Sequence, residues 1–563
     1  MTRFCAALLG FFILAYIIPL DYRPLMEPDE TRYAEIPREM VDGGNWLELR
    51  LVGLSYYEKP PLGYWLGAAS ITALGQHPLA VRLPMALAAG ATALTIFLLV
   101  RAQRGRTDLA LGAAVIYLTF LEVYGLGTFA NLDSIFTFFV TLSLALFFQA
   151  AANKAATTAE RRRSLVWLIL SGLACAGAFL TKGFTALVLP VLILAVWLPW
   201  QGLLRKHILA CLVPVAAAAL AVLPAALALH QANPDFWRYF FWVEHVQRFL
   251  EPSAGQHESP FWFFLPYILG GALPWIFCLP PALGPIWAKI KAGDSLTTFC
   301  LAWFALPFLF FSACGGKLPT YILPCFAPLA IMLAEGIIES SKNFSPYLKA
   351  SAGFFLALAL GAVVWLFFFA PPRLQIPLLA DIRTWGLALA LALTAAGLMA
   401  AAARFEKPAT RLAGIFLTAL ATLPVFLTSF YSLPEALTAR RAPSILLTEV
   451  VPLTPPEAVI FITDRKVIYA AAWHYRRNDL IFAFEMGELA YGLKRPEGEG
   501  RYIGEAAGLA DQIRRELAAG RPAAVITAGG YEKGLAQALA EMEPDRLLKR
   551  GDFTWRLFSA LRD

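Results

Sequence analysis

Along the chain, apolar residues come in long runs separated mostly by short polar stretches. At roughly 17 to 25 residues per bilayer crossing, the runs predict about thirteen membrane-spanning helices. They begin near residues 5, 79, 109, 133, 164, 184, 207, 261, 297, 320, 348, 384 and 412. Two polar breaks are long, 21–78 and 230–260, and the first holds two candidate surface-lying helices, over Thr31–Met40 and Pro61–Ala73. After about residue 432 the pattern changes. Ala458–Ile462, Leu480–Phe484 and Ala523–Thr527 read as short buried strands, with a helical period between them, as over Gly508–Ala519. The expected fold class is an α-helical polytopic membrane domain, residues 1–435, followed by a soluble α/β domain, residues 436–563.

Composition agrees with a membrane protein. The chain has 563 residues, 58% hydrophobic and only 15% charged, with a mean hydropathy of +0.60, whereas a soluble domain carries roughly 25% charged residues. The net charge of +7 points to topology and not to nucleic acid, because most of the surplus sits in short loops between apolar runs. The seven cysteines all fall in or beside apolar runs, so neither a disulfide framework nor a thiolate metal cluster is indicated. The first run, Cys5–Leu20, follows Arg3 as a secretory signal would. It lacks a small-x-small cleavage site and many spans follow, so it reads as an uncleaved first helix.

The loops alternate in charge. Those after the even-numbered spans hold Arg101/Arg104/Arg106, Lys154 with Arg161–Arg163, Arg205/Lys206, Lys289/Lys291, Lys342/Lys349 and Arg404/Lys407/Arg411. Basic loops stay in the cytoplasm, so the amino terminus is expected there. An odd span count then puts both long loops and the carboxy-terminal domain outside.

Ionisable groups near lipid are costly unless paired or functional. On the expected outer side these are Asp29, Glu30, Glu58, Lys59, Asp133, Lys182, Glu244, His245, Arg248 and Lys317, the last near Tyr321. Carboxylates facing several cations suit a phosphate-linked substrate, with cations holding the phosphate while a carboxylate orients the acceptor. Blander readings stand beside this. Arg32, Arg38 and Glu39 fit a solvated or headgroup-facing helix surface; Lys59 fits a snorkelling anchor; and Asp133 fits a helix N-cap. His245, His257 and Glu58 could hold a divalent ion, but no close ligand spacing supports one. Thr527–Gly530 reads as an ordinary turn and not a phosphate loop.

Pro28-Asp-Glu-Thr-Arg-Tyr-Ala-Glu35 and Glu58-Lys-Pro-Pro61 resemble the first-loop signature of polyprenyl-phosphate-dependent glycosyltransferases of the multi-span C-type fold. Three further stretches narrow the resemblance: Thr181-Lys-Gly-Phe184, Asn233–Trp237 running into Phe240–Phe249, and Gly316-Lys-Leu-Pro-Thr-Tyr-Ile-Leu323. Together they are similar to the bacterial lipid A aminoarabinose transferases, over roughly residues 1–340. The first-loop motif is shared with protein mannosyltransferases. The resemblance implies transfer of 4-amino-4-deoxy-L-arabinose from undecaprenyl phosphate to a lipid A phosphate at the periplasmic face, with polymyxin resistance as the outcome. By position it implies Asp29 as the first-loop carboxylate and Asp133 as the second acidic member. Tyr56, Glu58, Lys59, Lys182, His245, Arg248, Lys317 and Tyr321 are then the candidates for substrate binding. No cofactor is required by this chemistry, and a divalent metal is left open. Alternatives are a related protein mannosyltransferase and a lipid or solute transporter; a transporter calls for internal repeats and midplane charges, which the sequence does not display.

Overall fold

The computed structural model describes residues 2–153, 157–247, 259–368, 382–431, 435–484, 486–529, 539 and 542–559. They fall into two compact units, one of Met1–Leu20 with Arg82–Ser432, the other of Asp21–Val81 with Leu433–Asp563.

The first unit is helical. Among the described residues, ten helices are long and apolar enough to cross a membrane, and two bent helix pairs raise the number to twelve. The sixteen-residue apolar helix Thr185–Trp200 occupies the place of the remaining expected span. The bends were not expected. Thr107–Leu118 meets Leu121–Gly127 at 66°, and Phe261–Gly271 meets Trp275–Lys291 at 95°. Broken backbone inside a membrane must find partners within the protein, and here the two breaks serve each other. The Trp275 indole N–H donates to Thr119 Oγ1 at 2.8 Å, and the Leu121 amide donates to the Leu273 carbonyl at 3.3 Å.

Helix packing between hydrocarbon-facing spans depends on small residues that let backbones approach. Gly172 of Thr158–Lys182 shows this: a Cβ there would lie 2.4 Å from the Pro214 carbonyl oxygen on Leu212–Ala232. Burial grades the spans, from 11% of the window in Leu212–Ala232 to 94% in Pro319–Glu339, which is therefore the centre of the unit.

The second unit joins the first long loop to the carboxy-terminal residues. Its loop part holds helix Asp29–Gly43, the hairpin β1 (Arg50–Leu51) and β2 (Leu54–Ser55), and helix Leu62–Leu74. Asp29–Gly43 opens with Asp29 and Glu30, whose charge suits the positive end of the helix dipole, and stops at Gly44, φ +67°, a left-handed cap that favours glycine.

The carboxy-terminal part is a six-stranded sheet of β3 (Val459–Ile462), β4 (Ile481–Ala483), β5 (Tyr502–Ile503), β6 (Ala523–Ala528), β7 (Arg546–Arg550) and β8 (Phe553–Phe558), in the order β5-β4-β3-β6-β8-β7. The first four run parallel, with Phe461 opposite Val525 and Ile481, while β8 is antiparallel to β6 and β7 to β8. Phe461 and Val525 pack under Leu509, Ile513 and Leu517 of helix Ala506–Ala518. Helix Arg465–Tyr475 packs against both Asp29–Gly43 and the central strands β3 and β6.

That packing overturns the solvated-surface reading of Arg32, Arg38 and Glu39, which are 8%, 2% and 7% exposed. The α/β domain supplies a cover that the loop sequence alone does not reveal. Their charges are matched inside it: Arg38 donates to both Glu35 oxygens at 2.8 and 2.5 Å and to Asp42 at 2.9 Å, and Glu39 accepts the Gly53 amide at 2.9 Å.

Candidate active site

The expected site residues fall into two clusters, one in each unit. In the helical unit, Asp133 is the first residue of helix Asp133–Ala152, yet it does not cap that helix. The N-cap position falls to Leu132, which has no side-chain acceptor, and Asn131 just before it supplies one, its side-chain oxygen accepting the amides of Asp133 at 2.8 Å and Ser134 at 3.2 Å. The N-cap reading of Asp133 is thereby corrected, because a residue three positions ahead of the turn's second amide is better placed than the helix's own first residue. The Asp133 carboxylate instead pairs with Lys182.

Lys182 ends helix Thr158–Lys182 just before Gly183, φ +81°, and that glycine turns the chain at once into the next helix. Its ammonium also lies 4.7 Å from the centre of the Tyr321 ring, a cation–π contact. Lys317, only 4% exposed, donates to the Ser259 carbonyl at 2.6 Å. Asp133, Lys182 and Tyr321 thus come together from three separate stretches of chain. The same unit holds an apolar cavity of about 490 Å³ whose walls include Phe179 and Phe184, on either side of Lys182 in sequence, with Phe147, Val191, Leu198 and Val215.

In the second unit Asp29, half exposed, accepts from Arg32 at 2.8 Å across one helical turn, and Arg32 also pairs with Glu488 of the α/β domain. The guanidinium lies 4.9 Å from the Tyr33 ring centre. The Tyr56 hydroxyl is 3.4 Å from Glu58, and the Lys59 ammonium donates to the Glu58 carbonyl at 3.1 Å. Tyr56 and Tyr64 meet edge to face at 6.2 Å.

Burial, the largest effect, pushes the Tyr56, Tyr64 and Tyr469 hydroxyls above the ordinary phenol range, so each is a neutral hydrogen-bond donor at physiological pH. For Glu488 burial alone would raise the carboxyl, but the charge of Arg32, helped by its hydrogen bonds and by Lys59, holds it below the usual range.

Arg248 and His257 lie outside the described residues. For His245 the description stops at its backbone, in the helical turn Arg238–Gln247. Among the described residues no group of three or more His, Cys, Asp and Glu side chains is placed to hold a metal ion.

Arg32, which the sequence set beside Asp29 but favoured as a solvated or headgroup-facing surface, is a partner of Asp29, and Glu488 is the neighbour that sequence reasoning missed. The spacing of three between Asp29 and Arg32 on a helix was a readable signal. Glu488 is 456 positions from Arg32, and nothing in its local sequence marks it.

Solved structures share this architecture. The crystal structure of ArnT from Cupriavidus metallidurans bound to undecaprenyl phosphate superposes with a TM-score of 0.84 at 22% identity, covering 100% of both chains. The oligosaccharyltransferase of Archaeoglobus fulgidus in its apo form reaches 0.52 at 14% identity, over 95% of this chain and 71% of that one. The profile of the family described as dolichyl-phosphate-mannose-protein mannosyltransferase matches residues 1–240, and that of the arabinosyl transferase ArnT carboxy-terminal domain matches residues 438–553. These likenesses show the multi-span C-type fold of membrane glycosyltransferases, followed by an α/β domain.

The relatives narrow the class. An undecaprenyl phosphate-α-4-amino-4-deoxy-L-arabinose arabinosyl transferase of Shewanella sediminis is 36% identical over 97% of this chain and 96% of its own length. The enzyme of the same name from Erwinia tasmaniensis is 35% identical over 89% of each. The chain belongs to this arabinosyl transferase family.

Proposed function

We propose that the protein transfers 4-amino-4-deoxy-L-arabinose from undecaprenyl phosphate to a phosphate of lipid A, at the periplasmic face of a bacterial inner membrane. The observation that carries this reading is the near full-length likeness to relatives of that name, with matches in both the loop-bearing and the carboxy-terminal parts. In this reading the amino terminus is cytoplasmic, and residues 436–563 form a periplasmic domain beyond a membrane domain of residues 1–435. Nucleic acid has no part in it.

The chemistry is a displacement at the sugar's anomeric carbon. A phosphate oxygen of the acceptor forms the new C–O bond, and the bond to undecaprenyl phosphate breaks with its electron pair leaving on that phosphate. The acceptor is already ionised at neutral pH, so Asp29 and Asp133 serve to orient it and to meet the sugar's ammonium group, more than to strip a proton. Lys182, Arg248, Lys317 and Tyr321 of the first unit, and Lys59 and Tyr56 of the second, are the candidates for holding the carrier phosphate, where cations would stabilise the charge that develops on it. Glu58 and His245 are the remaining candidates for substrate binding. The apolar cavity walled by Phe179 and Phe184 suits part of the hydrocarbon tail. Covering an anionic phosphate with an amino sugar weakens Coulomb attraction for cationic peptides, which would appear as polymyxin resistance.

The test is mass spectrometry of lipid A from a host lacking its own enzyme but making the sugar carrier. The intact chain should add aminoarabinose, and Asp29→Ala and Lys59→Ala should not. A second reading, transfer of a sugar to protein hydroxyls, is favoured by the mannosyltransferase match over residues 1–240. It predicts unmodified lipid A and glycosylated Ser or Thr on outer proteins.

A further inference from the structure

We propose that Glu488, supplied by the α/β domain, is a positioning residue for the transfer reaction: it clamps the Arg32 guanidinium in the orientation from which Arg32 holds Asp29. The α/β domain then belongs to the catalytic apparatus and is more than an appendage. This rests on the proposed transfer and on Asp29 as its carboxylate.

The geometry is a relay across the unit. One terminal nitrogen of Arg32, Nη1, pairs with Glu488 Oε1, while the other, Nη2, donates to Asp29 Oδ1 at 2.8 Å. The remaining nitrogen, Nε, is buried with no hydrogen-bond partner among the described residues, so the orientation of the fork is set at its two tips. Glu488 is itself held: its second oxygen accepts from the Tyr469 hydroxyl at 3.2 Å, and Tyr469 is 3% exposed on helix Arg465–Tyr475. The neighbour Leu489 is 2% exposed and anchors the short turn Gly487–Leu489. A buried, doubly held guanidinium thus presents a carboxylate that is 48% exposed. A planar fork is suited to this task, since its donors stand in fixed relative directions.

Attachment of the loop to the α/β domain does not need Glu488. Ser55 donates to Glu497 at 2.5 Å, Arg501 to the Val52 carbonyl at 2.9 Å, the Glu27 amide to the Arg441 carbonyl at 2.8 Å, and Arg38 pairs with Asn478. Among these contacts the Glu488 bond is the one that leads through a single side chain to Asp29.

The experiment uses the full chain in nanodiscs, with transfer measured on undecaprenyl phosphate-linked aminoarabinose and lipid A. Misplacing a reacting group by about 1 Å can cost roughly 100-fold, so Glu488→Gln should lower kcat about 10- to 100-fold. KM and the melting temperature should stay close to wild type. Glu488→Asp should recover most of the loss, and in an Arg32→Met background Glu488→Gln should cause less than about a twofold further change, the non-additivity expected of residues in one network. Asn478→Ala, which loosens the seam elsewhere, should lower the melting temperature and leave kcat alone. A folded Glu488→Gln enzyme with wild-type kcat overturns the proposal, as does full additivity with Arg32→Met. Should Glu488→Gln not fold, Tyr469→Phe decides: a several-fold lower kcat supports the proposal and an unchanged kcat overturns it. A wild-type chain that transfers no aminoarabinose defeats the functional reading itself, and this inference falls with it.

Discussion

Two charged clusters sit at opposite ends of the most buried span, Pro319–Glu339, and they are built on different plans. At one end Glu335, 2% exposed, accepts from Arg104 Nε at 2.6 Å, Lys289 at 2.9 Å and the Thr297 hydroxyl at 3.2 Å. Asp294 takes two more bonds from Arg104, at 2.7 and 2.5 Å, and Glu339 takes Lys289 at 2.5 Å and Arg106 at 3.3 Å. At the other end, roughly 20 Å away at 1.5 Å rise per residue, Lys182 lies between the Asp133 carboxylate and the Tyr321 ring. The first cluster saturates its charges with one another and so ties the ends of five helices. The second is a single ion pair, Asp133 with Lys182, faced by the Tyr321 ring, and in the proposed function it is the one that meets substrate. Under the proposed function, the degree of mutual pairing, and not the mere presence of charge, separates a clasp from a site.

The largest effect that follows is on transfer. Asp133→Asn keeps the shape and removes the charge, and it should reduce kcat by about 100- to 1,000-fold, the range seen when a preorganised electrostatic group is lost. Lys182 keeps its contact with the Tyr321 ring, so transfer should fall far more than the melting temperature. Steady-state transfer assays beside thermal melts would check both halves. A variant that transfers normally removes Asp133 from the site and with it the contrast between the clusters.

The next effect, on stability, comes from the opposite end. Glu335→Ala leaves Arg104 and Lys289 with an uncompensated share of charge in a buried setting, and breaking one partner of such a network costs about 3–5 kcal/mol. Melting of the purified protein should show this as a large drop, while kcat per folded molecule stays near wild type. If transfer were lost with stability intact, the saturated cluster would be part of the site after all.

Much of the fold was legible because hydrocarbon imposes a length and an apolar character on every crossing. The thirteen expected starts each coincide with a helix or bent pair. The bends were not legible in equal measure. Gly270–Pro274 is a readable break, but the one after Leu118 lies inside continuous apolar sequence and exists because Trp275 and Leu273 satisfy its freed groups. In the α/β domain the central strands β3, β4 and β6 were read as apolar runs, whereas β7, Arg-Leu-Leu-Lys-Arg, was missed: it is a charged, largely exposed edge strand of the kind that avoids edge-to-edge pairing. In the candidate site, Lys182 announced itself by its place in a tight turn, and Asp29 and Lys59 by their motif. Glu488 did not, since its meaning comes only from a partner at the far end of the chain.

The smallest effect tests the clasp by acid. Burial alone would raise the Asp294 carboxyl, but the hydrogen bonds from Arg104 and Thr297 outweigh it and hold the group well below its ordinary value of 3.8. Folding therefore favours the ionised form. A group whose folded value is depressed contributes fully above its unfolded value, and the contribution drains away as pH falls toward the folded one. Asp294→Asn should accordingly melt lower than wild type at neutral pH, and the gap should narrow as pH drops from about 5 toward about 3. The narrowing is modest because the side chain is 25% exposed and solvent screens the pair. A gap that is constant across that window would mean the Arg104–Asp294 bonds hold shape but no charge-dependent stability. The clasp would then rest on Glu335 alone, and its contrast with the Asp133 end would narrow to a single carboxylate.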